Sequence, residues 1–185
     1  YRWLFAGHGI TWIGRQIAVV AVPYQLYSIT GSTVKVGILG LIQFVASLVV
    51  SLAGGAVADA VDRRRLLVLS QLGQAVAVGM LAWNANLSAP FEWPLYVLTA
   101  VSAAVASVDL PTRAAVLPTL VSRTLLPSAF ALNQTLGNVA KAVGPAMAGW
   151  MIVSTALPTT FLLGAVLFGV GALVVLPIGA LPPEP

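Results

Sequence analysis

Six apolar stretches dominate this chain, near residues 3–28, 34–58, 66–85, 94–112, 129–153 and 160–180. Each is close to the 20 or so residues that a helix rising about 1.5 Å per residue needs to cross roughly 30 Å of hydrocarbon. Turn chemistry fills the gaps between them. Thr30-Gly31-Ser32-Thr33 reverses the chain, Asp62-Arg63-Arg64-Arg65 is a charged turn, and residues 84–93 carry Asn, Ser and Pro. Pro118, Pro127, Pro158 and Pro177 punctuate the second half. Composition decides between a buried core and a membrane. Hydrophobic residues make up 59% and charged residues 8%, against roughly a quarter charged in an ordinary soluble domain. With a mean hydropathy of +0.97, the chain lacks the polar cover a water-facing fold needs. The expected class is an all-α integral membrane protein of six transmembrane helices.

Several function classes fall away at once. The absence of cysteine excludes disulfides, Cys-based metal sites, thiol catalysis and covalent haem attachment. A net charge of +4 does not point to nucleic acid, because the basic residues sit between apolar spans instead of forming a stripe. Neither a His-rich pattern nor a Ser/Lys catalytic spacing is present, so no enzyme and no cofactor is expected. The chain opens on Tyr1 and closes on Leu181-Pro182-Pro183-Glu184-Pro185, which reads as the start of a linker; a piece of a longer protein is expected.

Orientation follows from the cations. Arg2, Arg63, Arg64, Arg65, Arg113 and Arg123 fall at span ends or loops of one side, and Lys35 alone lies near the other. The positive-inside rule then puts both ends of the chain in the cytoplasm. Trp83, Trp93, Tyr24, Tyr27 and Tyr96 gather at the opposite end, as an interfacial aromatic belt would.

A charge at the bilayer centre costs on the order of 3 kcal/mol on insertion scales, so each one there needs a reason. Arg15 lies about halfway along the first span, Lys141 halfway along the fifth, and Asp109 in the inner part of the fourth. His8, Thr11, Trp12 and Arg15 share a face of the first span; Gln43 and Ser47 share one on the second. On the fifth, Gln134, Asn138, Lys141 and Pro145 form a wet face beside a small-residue stripe of Gly137, Gly144 and Ala148. Asp109 and Arg113 stand at i,i+4 in the favourable order for an ion pair, which fits either an interfacial strut or a coupling role. The sixth span offers no polar side chain from Phe161 to Ala180. Spans one, two, four and five are therefore expected to surround a hydrated cavity, with span six against lipid.

Two motifs then narrow the field. Gly55-Ala56-Val57-Ala58-Asp59-Ala60-Val61-Asp62-Arg63-Arg64-Arg65 resembles the signature loop of the major facilitator superfamily, Gly-x-Leu-Ala-Asp-Arg-x-Gly-Arg-Arg. Gly144-Pro145-Ala146-Met147-Ala148-Gly149 resembles the Gly-Pro-x-x-Gly-Gly motif of proton-coupled antiporters in that superfamily. The stretch from Ala21 to Gly37, and Leu117 to Arg123 followed by Asn133, are similar to the enterobactin-exporter branch and its multidrug-efflux relatives. The departures are Asp62 for the second glycine of the loop, Ala60 for its arginine, and Ala148 for one glycine of the antiporter pair.

The resemblance implies the N-terminal six-helix half of a transporter, itself a 3+3 inverted repeat, with a second six-helix half absent from this chain. It implies a bacterial inner-membrane protein exporting a small amphipathic drug or siderophore-like molecule by alternating access, driven by protons. A same-fold importer and a non-transporting six-helix protein are the competing readings. Substrate binding or coupling falls to Arg15, Gln43, Asp109, Asn138 and Lys141. Gating falls to Gly55, Asp59, Arg63, Arg64 and Arg113, and the antiporter kink to Gly144, Pro145 and Gly149. The implied partners are the substrate, protons, the bilayer and the second half, with no nucleic acid.

Overall fold

The computed structural model describes the backbone of residues 2–60 and 63–176, with side chains described except at 2–4, 6, 53–60, 63, 108–120 and 123. Six α-helices follow one another: α1 Arg2–Thr30, α2 Thr33–Ala60, α3 Arg63–Ala85, α4 Trp93–Leu120, α5 Leu126–Ser154 and α6 Leu157–Val175. A short 3-10 turn, Arg123–Leu125, precedes α5. These are the six helices expected, with shifted ends. α4 runs on to Leu120 where an end near 112 was expected. Pro177 and the proposed linker at 181–185 lie outside the described residues.

The chain-breaking residues act as their chemistry dictates. Gly31 takes a left-handed φ of 63°, and its amide bonds back to the Tyr27 carbonyl at 2.7 Å, which closes α1 in the manner of a glycine C-cap. Ser32 Oγ then accepts from the Lys35 amide at 3.4 Å and starts α2. Buried Asn84 fastens the α3–α4 loop by two 3.0 Å bonds to the Phe91 backbone, accepting from its amide and donating to its carbonyl. Pro127 and Pro158 sit in the first turns of α5 and α6, where a missing amide proton costs nothing.

By length and apolarity, three segments qualify as membrane spans among the described residues: Thr33–Leu52, Arg64–Ala85 and Leu157–Val175. α1 and α5 are long enough, but Arg15, Gln16 and Gln25 on one, and Gln134, Asn138 and Lys141 on the other, lower their hydropathy. Such helices cross a membrane when the polar face is turned to protein or water. Leu52 and Val153, 80% and 88% exposed, represent a broad apolar exterior of the kind that lipid covers.

The helix pairings carry an internal symmetry. Among the described residues the most extensive are α3 with α6, α1 with α6, α2 with α4, α1 with α5, and α3 with α4. Exchange α1, α2 and α3 for α4, α5 and α6, and this set maps onto itself. That is the contact pattern of a 3+3 repeat.

One expectation needs correcting. α6 is not simply a lipid-facing helix: Phe161, Gly164, Phe168, Gly171, Ala172 and Val175 are buried, and only its other face, with Leu162, Val166, Val170 and Leu173, is exposed. Glycines set this packing. Gly14 faces Gly164 and Gly7 faces Gly171, so an added methyl on Gly14 would stand 3.2 Å from the Gly164 carbonyl. In lipid, where apolar side chains gain nothing by leaving solvent, small residues that admit close backbone approach drive helix pairing.

At the aromatic end, Lys35 of α2 bonds the Glu92 carboxylate at 2.8 Å, and the Tyr96 hydroxyl donates to the same group at 3.1 Å. The hydrogen bond from Lys35 is the main reason the Glu92 carboxyl lies below the usual carboxylate range; desolvation opposes this, and Tyr96 helps. A carboxyl whose pKa is lowered on folding adds stability that is present above its unfolded value, about 4.3, and lost as the pH falls through the folded value. Wild type should therefore lose more of its thermal midpoint than Glu92→Gln on acidification below about pH 4. Parallel declines of the two proteins would show that this clamp contributes nothing.

Candidate functional site

A recess with largely apolar walls and a few polar side chains lies in the middle of the bundle. Its inner part, a cavity of about 150 Å³, is lined by Arg15 of α1, Gln43 of α2, Gln74 of α3, Thr99 and Ser102 of α4, and apolar walls that include Val78, Leu81 and Phe168. A more open vestibule of about 460 Å³ adjoins it, lined by Arg15, Phe44, Ser47, Leu48, Ser51, Ala103, Ala106 and Ser107. Arg15, Ala103 and Ala106 belong to both, so the guanidinium stands at the junction. The vestibule continues along α2 and α4 toward their C-terminal ends, the end that carries the basic loop.

Arg15 and Gln43, expected on one cavity from the sequence, line the same recess. The helices that build it differ from those expected. α3 and α6 contribute to the inner cavity and α5 does not, because α1 and α5 are packed face to face. Trp12 lies against Gly137, Gln16 against Gly144, and Gly9 against Leu136. These contacts climb together, so α1 and α5 run in the same direction.

Asn138 and Lys141 are exposed on α5 and do not line the inner cavity. Gly137, Ala140, Gly144 and Ala148 are the buried stripe, beside which the wet face turns outward, as its spacing required. At 100° per residue, Lys141, Gln134, Pro145 and Asn138 lie about 40 to 100° round from Gly137. With α1 and α5 parallel and joined at Trp12–Gly137, that flank turns to the side of α1 that holds Arg15 and the exposed Val19. The α1–α5 pair therefore presents one open face with a cation on each helix.

The face that His8, Thr11, Trp12 and Arg15 share in the sequence is divided in the fold. Buried Thr11 packs against Gly171 and donates to backbone carbonyls of its own helix at 3.0 Å. Trp12 packs on His8, with ring centroids 4.6 Å apart. Pro145 lies within α5, and Gly149 has nothing within 4 Å of an added methyl. Arg64, expected in a charged turn, lies in the first turn of α3 and donates to the Leu176 carbonyl at the end of α6, where a cation is favoured by the helix dipole. The side chains of Asp59, Arg63, Asp109 and Arg113, and the surroundings of Gly55, lie outside the described residues. No group of three or more potential metal ligands gathers among the described residues.

Gln74 and Thr99 were not singled out from the sequence. The signal was present: Thr99 stands three residues before Ser102 on one face of α4, and Gln71 and Gln74 form a polar pair at i,i+3 in a mostly apolar span. Both Gln71 and Gln74 are buried.

The match to known proteins agrees with this architecture. The family model described as Major Facilitator Superfamily matches residues 4–185. Among curated proteins, the chain is 24% identical over 178 residues to the staphyloferrin A transporter of Staphylococcus aureus, covering 96% of this chain and 45% of that protein. It is 27% identical over 185 residues to the enterobactin exporter EntS of Shigella boydii, covering all of this chain and 44% of that protein. An uncharacterized MFS-type transporter, YfiS of Bacillus subtilis, is 25% identical over 172 residues, covering 92% of this chain and 40% of that protein. The chain spans less than half the length of these relatives. Six helices whose pairings map onto themselves when the two triplets are exchanged, and a family match along nearly the whole chain, lead to one assignment: this chain belongs to the major facilitator superfamily.

Proposed function

We propose that the chain is the N-terminal half of a secondary transporter of the bacterial inner membrane, which expels a small amphipathic, siderophore-like molecule in exchange for protons. The observation that carries this reading is the recess at Arg15 and Gln43, which opens beside a polar flank of α5 midway along helices that otherwise expose apolar side chains. Buried polar groups at that depth are costly and mark transport pathways. A second six-helix half covers this open face, and substrate binds between the halves near the midplane, reached from either side in turn. Asn138 and Lys141 contribute from α5, and Gly55, Asp59, Arg63 and Arg64 of the motif between the second and third spans, with Arg113 of α4, latch the cytoplasmic end. The Gly144-Pro145 kink, with Gly149, supports export over import. Two relatives bear the names of an enterobactin exporter and a staphyloferrin A transporter, which makes those molecules the first substrates to try.

Asp109 is the proton carrier in this reading, being the one acid within an expected span. In inside-out vesicles holding the full-length protein, enterobactin or staphyloferrin A should accumulate when the lumen is acidified. Asp109→Asn should reduce that gradient-driven flux by about tenfold or more, the usual scale for losing a group that transfers protons. Accumulation only in right-side-out vesicles would favour the importer. Undiminished gradient-driven flux in Asp109→Asn would remove this residue from the coupling.

A further inference from the structure

Among the described residues, the buried glutamines Gln25, Gln71 and Gln74 make no side-chain hydrogen bond, and they are not alike. Gln25 and Gln71 are 1% and 0% exposed, and their amide atoms are sealed from any surface. Gln74 is 3% exposed and lines the inner cavity from α3. Its amide is neither bonded nor sealed, so the little surface it keeps belongs to that cavity. Buried amides are almost always satisfied, which sets Gln74 to bond something that enters.

The cavity walls decide what can enter. Ala18, Val19, Ala103 and Ala106 make them apolar, over a floor that includes Leu81 and Phe168. The volume of about 150 Å³ is that of an apolar cavity able to take one benzene ring. Arg15 stands beside it with an interaction of its own, which leaves the amide to make the polar contact. An amide offers a donor and an acceptor. A neutral hydroxyl can donate to its oxygen or accept from its nitrogen, whichever end is turned to the cavity. A carboxylate meets only the donor, an ammonium only the acceptor, and either brings charge against apolar walls, where it is costly. We propose that the inner cavity seats an uncharged, ring-sized group of the transported molecule that carries a hydroxyl, with the ring between the apolar walls and the hydroxyl bonded to the Gln74 amide. Gln74 is then a specificity-determining residue, since a bare ring would leave its amide unpaired. Val19, 54% exposed, belongs both to the cavity wall and to the open side of α1, so the group enters from the face where the rest of the molecule is held. The proposal rests on the transport reading, but binding can be measured without transport.

The full-length protein, purified in detergent, is titrated with phenol and with toluene, which are close in size, and the unfolding midpoint and heat of binding are followed at one detergent concentration. Micelles take up each probe equally whichever variant is present, so the ratio of the two affinities can be compared between proteins. Gln74→Met should shift that ratio toward toluene by about tenfold, the scale of a hydrogen bond lost by phenol and an unpaired amide no longer imposed by toluene. Its ligand-free midpoint should stay at or above that of wild type, because a buried unpaired amide has been removed. Val19→Phe, at a position exposed enough to accept a larger side chain, should weaken both probes several-fold by narrowing the mouth. No binding of either probe, a ratio unchanged by Gln74→Met, or affinities unchanged by Val19→Phe would overturn the subsite. Gradient-driven flux persisting beside any of those results would show that the subsite had failed and the transporter reading had not.

Discussion

Gly144→Ala should destabilise the protein more than Gly137→Ala, although the shorter contact belongs to Gly137. A methyl on Gly137 would fall 1.2 Å from Cζ3 of Trp12, but that atom is the far edge of an indole. Rotating the ring away relieves the clash at the cost of its packing on His8. A methyl on Gly144 would stand 2.4 Å from Gln16 Cβ and 3.5 Å from Gln16 Cα. Neither atom can swing aside, because both are fixed by the α1 backbone, so the two helices must separate. Overpacking of this kind costs typically about 1–3 kcal/mol, and in lipid, where close packing is the main source of helix association, little compensates for it.

The thermal midpoint of the full-length protein in detergent would read this difference. Gln16→Gly should rescue Gly144→Ala and leave Gly137→Ala unchanged, whereas Trp12→Ala should do the reverse. A Gly144→Ala protein as stable as wild type would mean that α1 and α5 are not in close contact there. Gly149→Ala should leave the stability of this half unchanged, since an added methyl meets nothing within 4 Å. Within one motif, then, Gly144 holds the half together and Gly149 is free for other contacts.

The sequence made the helices and their ends legible because each break uses a residue with a local reason. Gly31 adopts the left-handed conformation expected at a helix end, Asn84 fastens a loop, and Pro127 and Pro158 occupy first turns. The two-faced character of α5 was legible for a similar reason, since Gly137, Gly144 and Ala148 recur at helical spacing beside Gln134, Asn138 and Lys141. Tertiary neighbours were not. α6 was placed against lipid because it lacks polar side chains, yet Gly164 and Gly171 pack it against α1 and α3. In a membrane, glycine marks burial as well as polarity does.

The candidate site divides along the same line. Arg15 and Gln43 stand out in any apolar span, and the fold brings them to one recess. Gln74 and Thr99 look ordinary in sequence and gain meaning from what surrounds them. Asn138 and Lys141 were expected on the same cavity, but that required α5 to lie beside α2 and α4. The glycines that hold α5 on α1 turn those residues instead to the open face.

A transporter needs that open face wet, whereas a lipid-facing surface would be dry. Lys141 and Leu173, the latter 64% exposed on the outer face of α6, are both uncovered in this half and differ only in what should lie beyond them. The chain has no cysteine of its own, so Lys141→Cys and Leu173→Cys can be introduced singly into the full-length protein, with any cysteine elsewhere replaced. Each is then treated in native membranes with a membrane-impermeant maleimide. Since the thiolate is the reacting species and forms readily only in contact with water, Lys141→Cys should label at least about tenfold faster than Leu173→Cys. Equal, slow labelling of the two would put the α5 flank in lipid and contradict the assignment of this face to the transport cleft.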